Sequence, residues 1–358
     1  MTEHKTSVTH HGTSALRDID IPTIFKIDKG LLTNFRDILK EFNLEDKKFV
    51  VIHGGKPFEE IAGKITEPLN IAKELKATSN SVGEVTRLQR EIEKEVPDFV
   101  IGVGGGRTLD PAKQAAAHAG VNFISIPTTL SHDGIASPVA VIDYGDEVKS
   151  IYARMPFGII VDIDIIKKSP AQNIGAGIGD LLSNISAAED WLLAEKHGKF
   201  KVDYFALFLA KTPAVNLLHA EYHDLKDDRL LHDLAEGLIM SGIAMGIAGN
   251  SRPASGAEHL ISHGLDKLLK NRGLHGTQSG IATIFAMCLR GSDMWKDIKD
   301  FYKKLGLPYR PEDIGVTKEV FLEAVKIAPT TRDNRFTILD IKGMEQKLLS
   351  NVYDKVYP

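Results

Sequence analysis

Over its first half the chain alternates short apolar runs with stretches of helical spacing. Ile24-Phe25-Lys26-Ile27 reads as a short strand, and Leu31, Leu32, Phe35, Ile38, Leu39 and Phe42 recur along one helix face. The segment 48–53 is dominated by Phe49-Val50-Val51-Ile52 and ends at Gly54-Gly55, which predicts a buried parallel strand and a tight turn. A helix over 57–65, a strand over 71–77 and an amphipathic helix over 82–96 follow. The run from Phe99 to Val103 is again fully apolar or glycine. It meets Gly104-Gly105-Gly106, and a helical pattern resumes over 112–118. Strands are predicted at 122–126 and 158–162, with a hairpin over 139–143 and 148–153 around Tyr144-Gly145-Asp146-Glu147.

This alternation, with glycine at strand ends, argues for a parallel sheet carrying helices on both faces. From Pro170 onward the texture changes to helix upon helix with no convincing strand. The expected fold class is α/β plus all-α: a Rossmann-like parallel-sheet domain over 1–167, then a helical domain over 168–358. Ligands of such sheets bind outside the carboxyl ends of the strands, where both glycine turns fall.

Composition adds bounds. The 43% hydrophobic and 26% charged content is that of an ordinary globular protein. A net charge of -4 gives no case for nucleic acid or an anionic membrane. The single cysteine, Cys288, excludes an intrachain disulfide and suits a reducing cytoplasm; its apolar neighbours predict a packed thiol. The start of the chain is polar and His-rich (His4, His10, His11) and reads as a solvated tail rather than a signal peptide. No uninterrupted apolar run reaches the length of a membrane span.

Three stretches carry candidate chemistry. In the first, the three glycines before a helix let a ligand approach the backbone, and the helix N-terminus suits a pyrophosphate. A plain tight turn would give the same pattern. The second, Pro127 to Pro138, gathers Thr128, Thr129, Ser131 and Ser137 with His132 and Asp133 beside that turn. Hydroxyls there can donate to phosphates or carboxamides, although such residues also favour ordinary turns. The third is dispersed. Asp180 lies in an apolar stretch read as the start of a helix, where simple capping is the alternative. His259 and His263 share a helix face, and His275 precedes an apolar helix. Each histidine alone reads as a packed side chain. Together, Asp180, His259 and His275 would supply the three N and O ligands of a catalytic zinc, leaving His263 to face the substrate.

These stretches resemble the archaeal sn-glycerol-1-phosphate dehydrogenase family, within the glycerol dehydrogenase, iron-alcohol dehydrogenase and dehydroquinate synthase-like superfamily. The match rests on Gly104 to Asp110, on Pro127 to Gly134, and on Ser255-Gly256-Ala257-Glu258-His259 with His263 and His275. It runs in order and spacing from about residue 20 to 340. The resemblance implies a dehydroquinate synthase-like fold with the cofactor cleft between its two domains. It implies NAD or NADP held by Gly105, Gly106, Arg107, Thr108, Leu109 and Asp110, by Thr128, Thr129, Leu130 and Ser131, and by Ser137. It implies one zinc per subunit on Asp180, His259 and His275, with Asp133, Asp180 and His263 at the substrate. The iron-dependent branch carries a histidine where this chain has Asn184, which favours three-ligand zinc.

The expected reaction is reduction of dihydroxyacetone phosphate to sn-glycerol 1-phosphate, the backbone of archaeal ether lipids. Asp133 would bind a substrate hydroxyl, and His263 would relay a proton or orient the substrate. Arg252, Lys149 and Arg154 are candidates for the substrate phosphate, none identified by spacing. Glycerol dehydrogenase, a dehydroquinate synthase-like lyase and a non-enzymatic nucleotide sensor are the competing readings. A homo-oligomer is expected, and no partner other than the small-molecule substrate.

Overall fold

Six strands lie parallel in one sheet in the order β1-β8-β5-β4-β2-β3. They are β1 (Ile24–Asp28), β2 (Lys48–His53), β3 (Asn70–Lys76), β4 (Phe99–Gly104), β5 (Asn122–Pro127) and β8 (Gly158–Asp162). Two more, β6 (Val139–Asp143) and β7 (Val148–Tyr152), form a separate antiparallel hairpin. The computed structural model describes residues 20–56, 58–66, 69–269, 273–342 and 345–358. The histidine-rich tail and Pro57 lie outside them.

The strands are buried on both faces because their side chains alternate between two apolar clusters. Phe49, Val51, Ile101 and Val103 pack on one side with Phe35, Leu39 and Ile65, from α1 (Phe35–Glu41) and α2 (Phe58–Thr66). Val50, Ile52 and Val100 face the other side, against α3 (Val82–Glu95) and α4 (Gly106–His118). That second cluster continues without a break into the C-terminal helices. The chain leaves β3 on one side of β2 and returns on the other as β4, paired Ile52 to Gly102 and His53 to Val103. The topological switch point therefore lies between β2 and β4, the two strands that end in glycine turns.

Beyond β8 every described element is helical: α5 (Ile163–Ile166), α6 (Ala171–Lys196), α7 (Tyr204–His219), α8 (Asp228–Ala248), α9 (Ala257–Leu268), α10 (His275–Leu289), α11 (Met294–Lys304), α12 (Lys318–Ile327), α13 (Ile338–Lys342) and α14 (Gln346–Val356). By length and composition α8 could cross a membrane, but 67% of its apolar window is buried in the protein, as in a core helix.

Two expectations need correction. The helix after the glycine turn begins at Gly106 rather than Ala112, so Pro111 lies inside α4. The proline removes one donor, and burial of Leu109, Ala112, Ala115 and Ala116 offsets the loss. Asp180 is not near a helix start: α6 begins at Ala171, so Asp180 caps nothing. Gly177 and Gly179 lie within α6, where they let neighbouring backbone approach. A Cβ at Gly179 would overlap the carbonyl oxygen of Gly276, and one at Gly177 that of Leu130.

Candidate active site

Three helices each bring one ligand-type side chain to a common point. Asp180 projects from the middle of α6, His259 from the first turn of α9, and His275 opens α10. Their donor atoms all lie within 4.8 Å of one another. Asp180 Oδ1 is 3.7 Å from His259 Nε2, and the rings of His259 and His275 are 4.8 Å apart. Zinc bonds of about 2.1 Å in a tetrahedron separate ligand atoms by roughly 3.4 Å, so this spacing is close to what the ion requires.

The far side of each ring is also fixed. Glu258, fully buried, lies 3.0 Å from His259 Nδ1 and accepts the Gly256 N–H at 2.6 Å. Ser262 Oγ lies 3.2 Å from His275 Nδ1 and donates to Gln278 Oε1 at 2.7 Å. Both Nε2 atoms are thereby left for a metal, the outer-shell arrangement that metal-bound histidines need. Asp180 Oδ2 accepts the Asp133 N–H at 2.8 Å. Glu258, Ser262 and Gln278 were missed in sequence, although Glu258 lies inside the motif that identifies His259.

Electrostatics separate the three histidines. Burial works against charge on His259, but its hydrogen bonds to Asp180 and Glu258 outweigh that and push it up to about 9. Burial and then the neighbouring His259 push His275 down to about 3. His263, half-buried and stacked at 5.9 Å on His275, is pushed far below the usual range, chiefly by burial. Burial and the charge of Asp180 raise Asp133 to about 7. Ser241 Oγ donates to Asp133 Oδ2 at 2.9 Å and accepts from Asn184 Nδ2 at 3.0 Å. Asn184 also donates to the Ala210 carbonyl at 3.2 Å, while its Oδ1 is buried without a hydrogen-bond partner.

The glycine turn lies where β4 meets α4. The Gly106 and Arg107 N–H groups, first in the helix, have no acceptor within it, while Thr108 and Leu109 N–H groups return to the Gly105 carbonyl at 2.9 Å. Gly104 takes φ 157, and a Cβ on Gly106 would strike the His132 ring. Leu109 and Asp110 point inward: Leu109 is core, and Asp110 Oδ2 accepts the Val141 N–H at 3.1 Å. Leu130 is fully buried, and Thr128 N–H bonds the Gly104 carbonyl at 3.0 Å, so the second loop is tied to the first. Thr129 Oγ1 is buried without a hydrogen-bond partner, Ser131 is half-buried, and Ser137 is buried with its carbonyl on Lys113 Nζ at 2.9 Å.

Of the phosphate candidates, Lys149 pairs with Glu147 at 2.6 Å on the outlying hairpin, and Arg154 is exposed. Only Arg252 is near α9, half-buried with its guanidinium 3.6 Å from the Phe200 ring centre. Cys288 is buried, and burial pushes its thiol up, away from reactivity.

Known proteins give the same picture. A family model described as iron-containing alcohol dehydrogenase matches residues 26–170. A probable glycerol dehydrogenase from Sinorhizobium meliloti superposes with a TM-score of 0.75 at 20% identity, over 95% of this chain and 99% of that one. The glycerol dehydrogenase of Schizosaccharomyces pombe gives 0.74 at 20% identity, over 96% and 92%. These superpositions show that the chain has the fold of the glycerol dehydrogenases, and Asp180, His259 and His275 form a candidate metal site within it. At the sequence level, the chain is 38% identical to glycerol-1-phosphate dehydrogenase, NAD(P)+, of Pyrococcus horikoshii, over 92% of this chain and 96% of that protein. It is 36% identical to the Metallosphaera sedula enzyme of the same name, over 91% and 93%. The chain belongs to the glycerol-1-phosphate dehydrogenase family, NAD(P)-dependent oxidoreductases.

Proposed function

We propose that this chain reduces dihydroxyacetone phosphate to sn-glycerol 1-phosphate with NAD(P)H, at a zinc held by Asp180, His259 and His275. The observation that carries the reading is the triad, with Asp180 and His259 buried and the outward ring nitrogens of both histidines already engaged by Glu258 and Ser262. The Asn184 amide nitrogen is committed to the Ala210 carbonyl and Ser241 Oγ. When bound, zinc supplies a Lewis acid for the carbonyl and the nicotinamide supplies the hydride, leaving NAD(P)+ and the alcohol once a proton reaches the oxygen.

The chain's own residues do the rest. Asp133, anchored by Ser241, would hold a substrate hydroxyl, and its N–H fixes the second oxygen of Asp180. His263, stacked on His275 at 5.9 Å, would orient the substrate or pass it a proton. The N–H groups of Gly106 and Arg107 would take the dinucleotide pyrophosphate. Gly105 and the start of α4 through Asp110, with Leu109 and Asp110 packed behind it, would frame the cofactor cleft together with the loop from Thr128 to Ser131 and Ser137. The sheet half, 1–167, would then hold the cofactor and the helical half, 168–358, the metal, working as a homo-oligomer in the cytoplasm.

His259→Ala tests the reading: the variant should lose its metal and its turnover together. A metal-free His259→Ala enzyme with near-normal rates would show the Lewis-acid role to be wrong.

A further inference from the structure

Three arginines converge near α9, and none of them is ion-paired among the described residues. Arg252 lies between α8 and α9, and Arg332 and Arg335 lie in the segment before α13. Arg332 Nη1 and Arg335 Nη2 both donate to Ser251 Oγ, at 3.0 and 2.8 Å. One hydroxyl therefore holds two guanidinium groups together. Arg335 Nη1 also donates to the Ser255 carbonyl at 2.7 Å, and Arg252 Nη2 to the Asn334 carbonyl at 2.7 Å. All three side chains are half-buried, and Arg335 Nε is buried with no hydrogen-bond partner.

Among the described residues, no carboxylate forms an ion pair with any of the three. The acids that act on Arg335 are Glu258 and Asp190, and both are committed elsewhere. Glu258 serves His259, and Asp190 pairs with Arg290 at 2.8 Å and accepts the N–H groups of Ala257 and Ile338. Like charges gathered under partial burial repel: burial first, then Arg332 and Arg252, push Arg335 down to about 9. The cluster also lies against α9, which carries His259 and His263: Thr331, next to Arg332, donates to the Leu260 carbonyl at 3.5 Å, and Arg335 holds the Ser255 carbonyl just ahead of the helix. The glycine turn that suits the cofactor pyrophosphate belongs to the other half of the chain.

We propose that Arg332 and Arg335, with Arg252 beside them, bind the phosphate monoester of the substrate and set the preference for a phosphorylated triose over the free one. This rests on the reduction proposed above. A planar guanidinium fork matches phosphate oxygens, and a dianion would relieve the repulsion among the three.

The test uses zinc-loaded enzyme. Arg332→Met and Arg335→Met should each raise KM for dihydroxyacetone phosphate about 10–100-fold, the loss of one or two charge-assisted hydrogen bonds. Zinc content and Kd for NAD(P)H should hold, and Arg332→Lys should recover part of the loss. Inorganic phosphate should inhibit the wild type competitively with the triose phosphate and inhibit the methionine variants less. An unchanged KM in a folded, zinc-loaded variant would overturn the assignment. So would phosphate inhibition that competes with NAD(P)H instead. Should the methionine variants unfold, the wild-type inhibition pattern decides the matter alone. The wild-type rate with free dihydroxyacetone needs no variant, and it reports on the substrate reading separately.

Discussion

Glu258 is the residue on which the metal centre turns most narrowly. Its fully buried carboxylate contacts His259 Nδ1 at 3.0 Å while accepting a backbone N–H from Gly256. The ring is thereby held with Nε2 toward Asp180. Glu258→Gln keeps the shape but weakens the acceptor, so zinc affinity should fall about 10–100-fold, as read by competition with a chromogenic chelator. An unchanged affinity would mean that the ring is oriented by packing alone. At this scale the sequence was informative about ligand types: Asp180, His259 and His275 were singled out, and the structure brings them together. It was silent on what surrounds them. Glu258 adjoins His259 in the chain, but helical periodicity assigns no contact to adjacent residues. Arg332 and Arg335 lie about 70 residues from α9 in a stretch with no apolar pattern, so nothing in the chain pointed to them.

Among elements, the crossing of α6 and α10 decides whether Asp180 and His275 can meet. Gly179 lies against the Gly276 carbonyl, and Gly276 against that of Ala176, so the two backbones touch directly. Gly179→Ala should cost about 1–3 kcal/mol by overpacking and should lower zinc occupancy as the ligands part. Thermal melting and metal analysis of one sample would check both effects. A stable variant with full zinc would show that the helices can separate without moving the ligands. Helical glycines explain the misread boundary as well. Local propensity puts glycine at helix ends, whereas here close packing overrides propensity and α6 runs straight through. Pro111 misled for the same reason at α4, whose buried face outweighs one lost hydrogen bond.

Lys113 ties elements together in another way. Its buried ammonium donates to the carbonyls of Gly134 and Ser137, each at 2.9 Å, and to that of Val139, fastening α4 to the loop that carries Asp133. Lys113→Met would leave the Gly134 and Ser137 carbonyls without this donor, at about 1–3 kcal/mol each where no water replaces it. A lower melting temperature with a weaker Kd for NAD(P)H is the expected result, whereas unchanged NAD(P)H binding would separate this loop from the cofactor.

Across the whole molecule, the sheet and the helical half share one apolar cluster, and the ligand triad joins α6, α9 and α10 within it. Zinc should therefore stabilise the folded chain as well as serve the reaction. Free metal at a hundredfold excess over its Kd contributes about 2.7 kcal/mol, so chelation should lower the melting temperature measurably. Parallel strands, strand ends and the switch to helices were legible because they follow from period and punctuation. The strand order was not, since nothing local records that β8 enters between β1 and β5.

The central claim is metal-dependent reduction of a phosphorylated triose. Its most direct test follows nicotinamide absorbance with purified protein given dihydroxyacetone phosphate or dihydroxyacetone, before and after a chelator. NAD(P)H oxidation is expected with the phosphate only, lost on chelation and restored by zinc. Equal turnover of the unphosphorylated triose, or turnover that survives complete metal removal, would contradict it.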